Sequence, residues 1–136
     1  MKKIIISSIC LLWTYILVAQ SATIGTGTAA SYFYGPYYRS TATSTFNNSK
    51  YAYIYTPDEL TAIPPGSLIT AVEWQKAAGT ITAPNTFQIF LENNSATVLN
   101  AGTTWGTLTA SATSVYNNTS QGFTVPAPGW ESFNLT

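Results

Sequence analysis

Apolar and polar side chains alternate with a period of two along four segments of this chain. In residues 68–75, one phase holds Leu68, Thr70, Val72 and Trp74, and the other holds Ile69, Ala71, Glu73 and Gln75. The same period is found in residues 51–56, 86–92 and 130–135. Since successive side chains of a β-strand point to opposite faces, this alternation predicts half-buried strands, and no stretch after residue 20 sustains a helical period.

Turn-forming sequences separate these segments. Pro64-Pro65-Gly66 precedes one of them, and Asn pairs, which tolerate the left-handed backbone of tight turns, lie at 47–48, 93–94 and 117–118. Pro57 suits the first position of a helix, which predicts one helical turn at 58–60. Weaker strand predictions cover 22–29, 105–109, 112–116 and 122–125. Short strands at this spacing predict an all-β fold, an antiparallel β-sandwich of the jelly-roll or immunoglobulin-like type.

The inward phase of the alternating segments defines a predicted core. Its members are Tyr53, Leu68, Val72, Trp74, Phe87, Ile89, Leu91, Phe133 and Leu135. The alternation continues to the last residue, Thr136, without a closing turn. We therefore expect the sandwich to be incomplete at its C-terminus and to belong to a longer protein, because an unpaired final strand leaves a sheet edge exposed.

The first twenty residues have the layout of a secretory signal peptide. Lys2 and Lys3 precede a mostly apolar run over 4–18, and polar residues begin at Ser21. The apolar run is shorter than the roughly 20 residues of a membrane-spanning helix. We expect cleavage after Gln20, which leaves a secreted or cell-surface module of residues 21–136 with no membrane insertion; the alternative is an uncleaved N-terminal anchor.

The charge of residues 21–136 excludes two classes of partner. This stretch has three basic residues and five acidic residues, a net charge of −2. Nucleic-acid binding requires a basic patch for the phosphates, and attachment to an anionic membrane requires a polybasic cluster. Neither is present, so we expect neither partner.

The residue types also argue against an enzyme. The chain has no His, and its only cysteine, Cys10, lies in the predicted signal peptide. A glycosidase needs two carboxylates across a cleft, and the best pair, Glu73 and Glu92, falls on the polar phase of its strands, which predicts exposure to solvent. Only Asp58 and Glu59 are adjacent acids, whereas calcium loops gather several. No catalytic residue, metal or cofactor is predicted.

Aromatic residues are the best candidates for a binding surface. Tyr34, Tyr37 and Tyr38 flank the Gly35-Pro36 turn, and Arg39 follows them. Flat aromatic rings can stack on sugar rings, and the guanidinium can donate hydrogen bonds to hydroxyls or to an acidic sugar. These residues are the predicted site for a glycan or a similar surface polymer. The alternative is that the rings only cover one end of the core.

Several aromatic and turn motifs, in their order along the chain, carry a resemblance to a known family. They are GPYYR at 35–39, YAYIYTPDEL at 51–60, GSLITAVEWQ at 66–75, TFQIFLEN at 86–93 and GWESFNLT at 129–136. In this order they resemble the N-terminal β-sandwich modules of large bacterial surface proteins exported by the type IX secretion system. The resemblance implies a non-catalytic module of a multidomain adhesin or a neighbour of a secreted hydrolase domain. The chain lacks the C-terminal sorting domain of such proteins.

Composition and resemblance together predict a non-catalytic secreted or cell-surface module. Its expected role is adhesion or substrate attachment, with carbohydrate binding as one form of it. Two alternatives stay open. One is an accessory domain of a secreted hydrolase whose catalytic part lies beyond residue 136, and the other is a structural spacer without a ligand.

Overall fold

The computed structural model describes residues 21–25, 36, 48–76, 79–126 and 128–136. Four strands and one short helix follow one another in this part of the chain: β1 (Ala71–Lys76), β2 (Ile81–Leu91), α1 (Trp105–Thr109), β3 (Thr113–Phe123) and β4 (Gly129–Asn134). They form two antiparallel two-stranded sheets, β1 with β4 and β2 with β3. The prediction of a β-rich fold with antiparallel pairing is confirmed.

The sheet of β1 and β4 has a regular register. Val72 lies opposite Phe133 and Trp74 opposite Glu131, with no shift along the six pairs. Gly129 begins β4 beside the preceding chain, where an added Cβ atom would lie 2.5 Å from the carbonyl oxygen of Pro126. Only glycine allows this close approach, which lets the chain enter β4 in register with β1.

The sheet of β2 and β3 is irregular and longer. Its register shifts between Ile81 and Asn85, where Pro84 has no amide hydrogen to donate to the ladder, and again between Asn85 and Phe87. At the second shift the extra residue lies in β3 beside Asn118, whose side-chain oxygen accepts the Ser120 amide at 2.9 Å. The turn predicted at the Asn pair 117–118 is therefore wrong: the local Asn hydrogen bond accompanies a β-bulge within one continuous strand.

Three other segments differ from their predicted structure. Residues 51–56 belong to no strand. Residues 105–109 are helical, because the Thr104 hydroxyl accepts the Thr107 amide at 3.2 Å and so caps the first turn. Of the weak prediction at 22–29, residues 22–25 form no strand and the remainder lies outside the described residues.

All four strands contribute to one core. Its buried members are Ile89, Phe123 and Phe133, and partly buried residues packed against them are Val72, Trp74, Ile81, Phe87, Val115, Tyr116 and Leu135. Six predicted core residues are thereby confirmed, whereas Leu91 is only partly buried and lies outside the cluster. Two predictions are wrong, since Tyr53 is 46% exposed and Leu68 is 85% exposed. Both precede β1 and lie in no strand that would turn them inward.

Candidate functional site

The predicted binding residues Tyr34, Tyr37, Tyr38 and Arg39 lie outside the described residues. Only Pro36 of that turn is described, and it lies in a turn, as its sequence predicts. A glycan site at these tyrosines stays a prediction.

A second group of tyrosines provides an aromatic surface that is described. It lies in residues 51–59, which we call the tyrosine segment. The side chains of Tyr53 and Tyr55 are 46% and 44% exposed, their ring centroids are 6.4 Å apart, and their planes are within 19° of parallel. The segment thus presents a stacked pair of partly exposed aromatic rings to solvent.

The tyrosine segment ends in a capped turn. Both the amide and the hydroxyl of Thr56 donate to Oε2 of Glu59, at 2.8 and 2.9 Å. Within the same turn the Leu60 amide donates to the Thr56 carbonyl at 3.2 Å, so the predicted helical turn after Pro57 is present. The sequence signal for this turn is Thr56-x-x-Glu59, a capping-box pattern.

These hydrogen bonds lower the pKa of the exposed Glu59 carboxyl. The backbone hydrogen bond from Thr56 contributes most, followed by the one from its hydroxyl, because both favour the ionised carboxylate. Glu59 therefore carries a negative charge at neutral pH, at the end of the aromatic surface.

The phenols of Tyr53 and Tyr55 are neutral. Partial burial raises the pKa of Tyr53, with smaller contributions from Tyr55 and Tyr51. Partial burial also raises the pKa of Tyr55, with a further contribution from the negative charge of Glu59. Both hydroxyls therefore keep their protons at neutral pH and can donate and accept hydrogen bonds.

The start of the tyrosine segment is anchored by an aromatic cluster. The ammonium of Lys50 lies 5.7 Å from the centroid of the Trp105 ring, within the range of a cation–π interaction. Trp105 in turn packs edge-to-face on Phe90 of β2, with centroids 6.1 Å apart. Lys50, which precedes Tyr51, is thus linked through Trp105 of α1 to Phe90 of β2.

The two carboxylates considered for catalysis are separated by the fold. Glu73 is exposed on β1, opposite Ser132 of β4. Glu92 follows β2, in the other sheet, and its exposed carboxylate accepts the Ser111 hydroxyl at 2.7 Å. Their predicted exposure is confirmed.

A buried ion pair lies where the two sheets meet. The Lys76 ammonium donates to Glu131 Oε1 at 2.7 Å and to the carbonyl of Phe123, the last residue of β3, at 2.9 Å. The same carboxylate oxygen accepts the Val125 amide at 3.0 Å. The sequence contained a sign of this burial, because Glu131 lies on the same inward phase of β4 as Phe133. The alternation alone did not show that a charged residue there needs a buried partner.

Neither a metal centre nor a membrane-spanning helix is found among the described residues. No three or more acidic, histidine or cysteine side chains gather there into a group that could hold a metal ion. In the same part of the chain, no helix combines the length and apolarity required to cross a bilayer.

Comparisons with known proteins do not place the chain in a family. No family model, curated protein or solved structure matches it. The resemblance to type IX surface modules accordingly stays a prediction.

Proposed function

We propose that this protein is a secreted, non-catalytic β-sandwich module that attaches to carbohydrate through the exposed rings of Tyr53 and Tyr55. The observation that carries the proposal is this near-parallel pair, exposed to almost half on each side chain. Large apolar rings are usually buried, so a paired exposure outside the core is the surface a ligand would cover. Support for the sandwich comes from the single core to which both sheets contribute.

Stacking on a sugar uses the two properties that the tyrosines combine. The ring faces offer flat apolar area to the C–H groups of a pyranose, and the neutral hydroxyls orient it by hydrogen bonds. No recognisable acid–base pair is needed for this role. Attachment to a surface polymer, or to the substrate of a neighbouring enzyme, would use the same contact.

Binding to insoluble polysaccharides tests the proposal. The purified protein is mixed with cellulose, chitin and starch, and the bound fraction is measured. Replacing both rings, in Tyr53→Ala/Tyr55→Ala, should weaken binding about tenfold or more if each ring contributes roughly 1 kcal/mol. The matched control is Trp130→Ala on β4, whose side chain is 47% exposed and lies outside the tyrosine segment.

The binding measured for the double variant shows whether Tyr53 and Tyr55 form a binding surface or have only a structural role. If the double variant binds as well as the unchanged protein, the rings are not the site. The variant Tyr37→Ala/Tyr38→Ala then tests the predicted site at the Gly35-Pro36 turn. If no polysaccharide binds at all, a spacer role is favoured.

Secretion is tested separately. N-terminal sequencing of the exported protein should begin at Ser21, as the charged start and apolar run of residues 1–20 predict. An exported chain that still begins at Met1 would contradict the cleaved signal peptide.

A further inference from the structure

We infer that Lys76 and Glu131 condense in the folded protein to an internal amide bond, which joins β1 to β4 covalently. The site is the buried pair described above, and no other molecule takes part in the reaction. The inference is independent of the proposed function, because it concerns the inward face of the sheets and not the exposed tyrosines. Three features of the pair carry it: its contact, its burial and its hydrogen-bond partners.

The two reacting groups are already in contact. Lys76 is the last residue of β1, and Glu131 lies in β4, the strand that pairs with β1. The Lys76 Nζ atom is 2.7 Å from Glu131 Oε1, and a second hydrogen bond, to the Phe123 carbonyl at 2.9 Å, holds the amine in place. Groups that a fold keeps in contact react as parts of one molecule, which removes the entropic cost of bringing them together.

Burial favours the condensed product. The side chains of Lys76 and Glu131 are only 5% and 8% exposed, so both charges are largely removed from water. Burial of charged groups is costly even when they are paired. The amide is neutral, so its formation removes both charges from the interior. The same burial keeps bulk water away from the new bond and so disfavours its hydrolysis.

The hydrogen-bond partners around the pair match an amide group. The Val125 amide donates to Glu131 Oε1 at 3.0 Å, and the Phe123 carbonyl accepts from Lys76 Nζ. After condensation Oε1 is the oxygen of the amide and Nζ carries its one hydrogen, so the same two contacts satisfy the product. The Val125 amide also stabilises the negative charge that develops on Oε1 while the amine attacks.

The reaction balances without an added reagent. The Lys76 ammonium first gives one proton to the Glu131 carboxylate, which leaves a neutral amine and a carboxylic acid. The electron pair of Nζ then forms a bond to Cδ of Glu131. The bond from Cδ to Oε2 breaks, and Oε2 keeps its electron pair and leaves as water with the proton of the acid and one proton of the amine. Nothing is oxidised or reduced.

Mass spectrometry of a tryptic digest tests the inference. Residues 51–136 contain a single cleavage site for trypsin, Lys76. An amide on that side chain blocks cleavage there. The purified chain is checked for folding by circular dichroism, then denatured and digested. The expected product is one fragment, 51–136, that is lighter than its sequence by one water molecule, and fragment spectra should locate the link at Lys76 and Glu131.

Three variants separate this link from other losses of water. Lys76→Met has no amine, so its fragment 51–136 should have the full mass of its sequence. Glu131→Leu has no carboxylate, so trypsin should cut it into 51–76 and 77–136, both of full mass. The matched control is Glu73→Gln, which removes an exposed carboxylate from β1 and should keep the link.

The unchanged protein alone can overturn the inference. If the folded chain is cut after Lys76 into two fragments of full mass, the pair is an ordinary ion pair. If water is lost but the loss maps to other residues, or persists in Lys76→Met, the link at Lys76 and Glu131 is likewise rejected. Neither result bears on binding by Tyr53 and Tyr55.

Discussion

Two regions of this protein share one sequence pattern and have opposite surroundings. In β4, Phe133 lies on the inward phase of an alternating segment and is only 1% exposed. In the tyrosine segment, Tyr53 and Tyr55 lie on one phase of an equally regular alternation and are both more than 40% exposed. Period-two patterning by itself therefore does not decide which aromatic rings enter the core.

The difference follows from hydrogen-bonded partners. Each residue of β4 lies opposite a residue of β1, and this ladder turns Phe133 toward Trp74 and toward the rings of the second sheet. Residues 51–56 lie in no ladder; the preceding Lys50 makes a cation–π contact with Trp105, and Thr56 makes local hydrogen bonds to Glu59. A strand partner fixes the direction of side chains, whereas neither of these two contacts does so.

The comparison predicts that the largest loss of stability comes from removing an aromatic ring from the core. Phe133 contacts four other aromatic rings, those of Trp74, Phe87, Tyr116 and Phe123. Phe133→Ala should lower the free energy of unfolding by about 3–5 kcal/mol, measured by denaturant titration, because it removes buried area and leaves a cavity. Trp130→Ala on the same strand is the control, with an expected loss below about 1 kcal/mol since the ring is half exposed.

The next effect concerns the buried ion pair between β1 and β4, whose lysine also donates to the end of β3. Glu131→Leu should cost about 3 kcal/mol, because it leaves the Lys76 ammonium buried without its carboxylate and the Val125 amide without its acceptor. Denaturant titration of Lys76→Met and of the double variant Lys76→Met/Glu131→Leu completes the cycle. The double variant should lose less than the two single variants together, and strict additivity would show that the two charges do not interact.

A smaller effect is expected in the tyrosine segment. Tyr53→Ala should lower the free energy of unfolding by less than about 1 kcal/mol, because the ring is 46% exposed and lies outside the core cluster. The measurement is the same denaturant titration as for Phe133→Ala. A loss as large as that of Phe133→Ala would mean that the segment is packed into the core in solution.

The smallest effect is a local pH dependence of the capped turn. The pKa of Glu59 is lowered by its hydrogen bonds with Thr56, so its contribution is complete above the ordinary carboxyl pKa and disappears as the pH falls through the lowered value. The Thr56 amide resonance, followed by NMR from neutral to acidic pH, should report this transition. In Glu59→Gln the same transition should be absent, and its persistence there would assign it to another group.

Some of the fold could be predicted from local pattern and some could not. The strands around Trp74, Ile89 and Phe133 were predictable because apolar residues recur at every second position. The helix at 105–109 was not, because the Thr104 cap outweighed the weak strand preference of its neighbours. A turn was predicted at Asn118 because Asn tolerates the left-handed backbone of tight turns, whereas its side chain bonds the Ser120 amide within a bulged strand.

The sequence predicted the type of residue at the candidate site but not its position in the chain. Exposed tyrosines as the binding surface were foreseen at residues 34–38, whereas the described pair is at Tyr53 and Tyr55. The Thr56-x-x-Glu59 cap is a local signal that was available in the sequence. The contact of Lys50 with Trp105 joins residues that are 55 positions apart, and no local pattern predicts it.

By itself, the sequence determined the β-rich character of this protein, the inward phase of its main strands and the exposure of Glu73 and Glu92. These properties follow from side-chain alternation, which is local. Only the tertiary structure decided that Glu131 would be buried beside Lys76 and that Tyr53 would remain on the surface. Both depend on which segment lies opposite, since a strand partner and a buried counter-charge are supplied by residues distant in the chain.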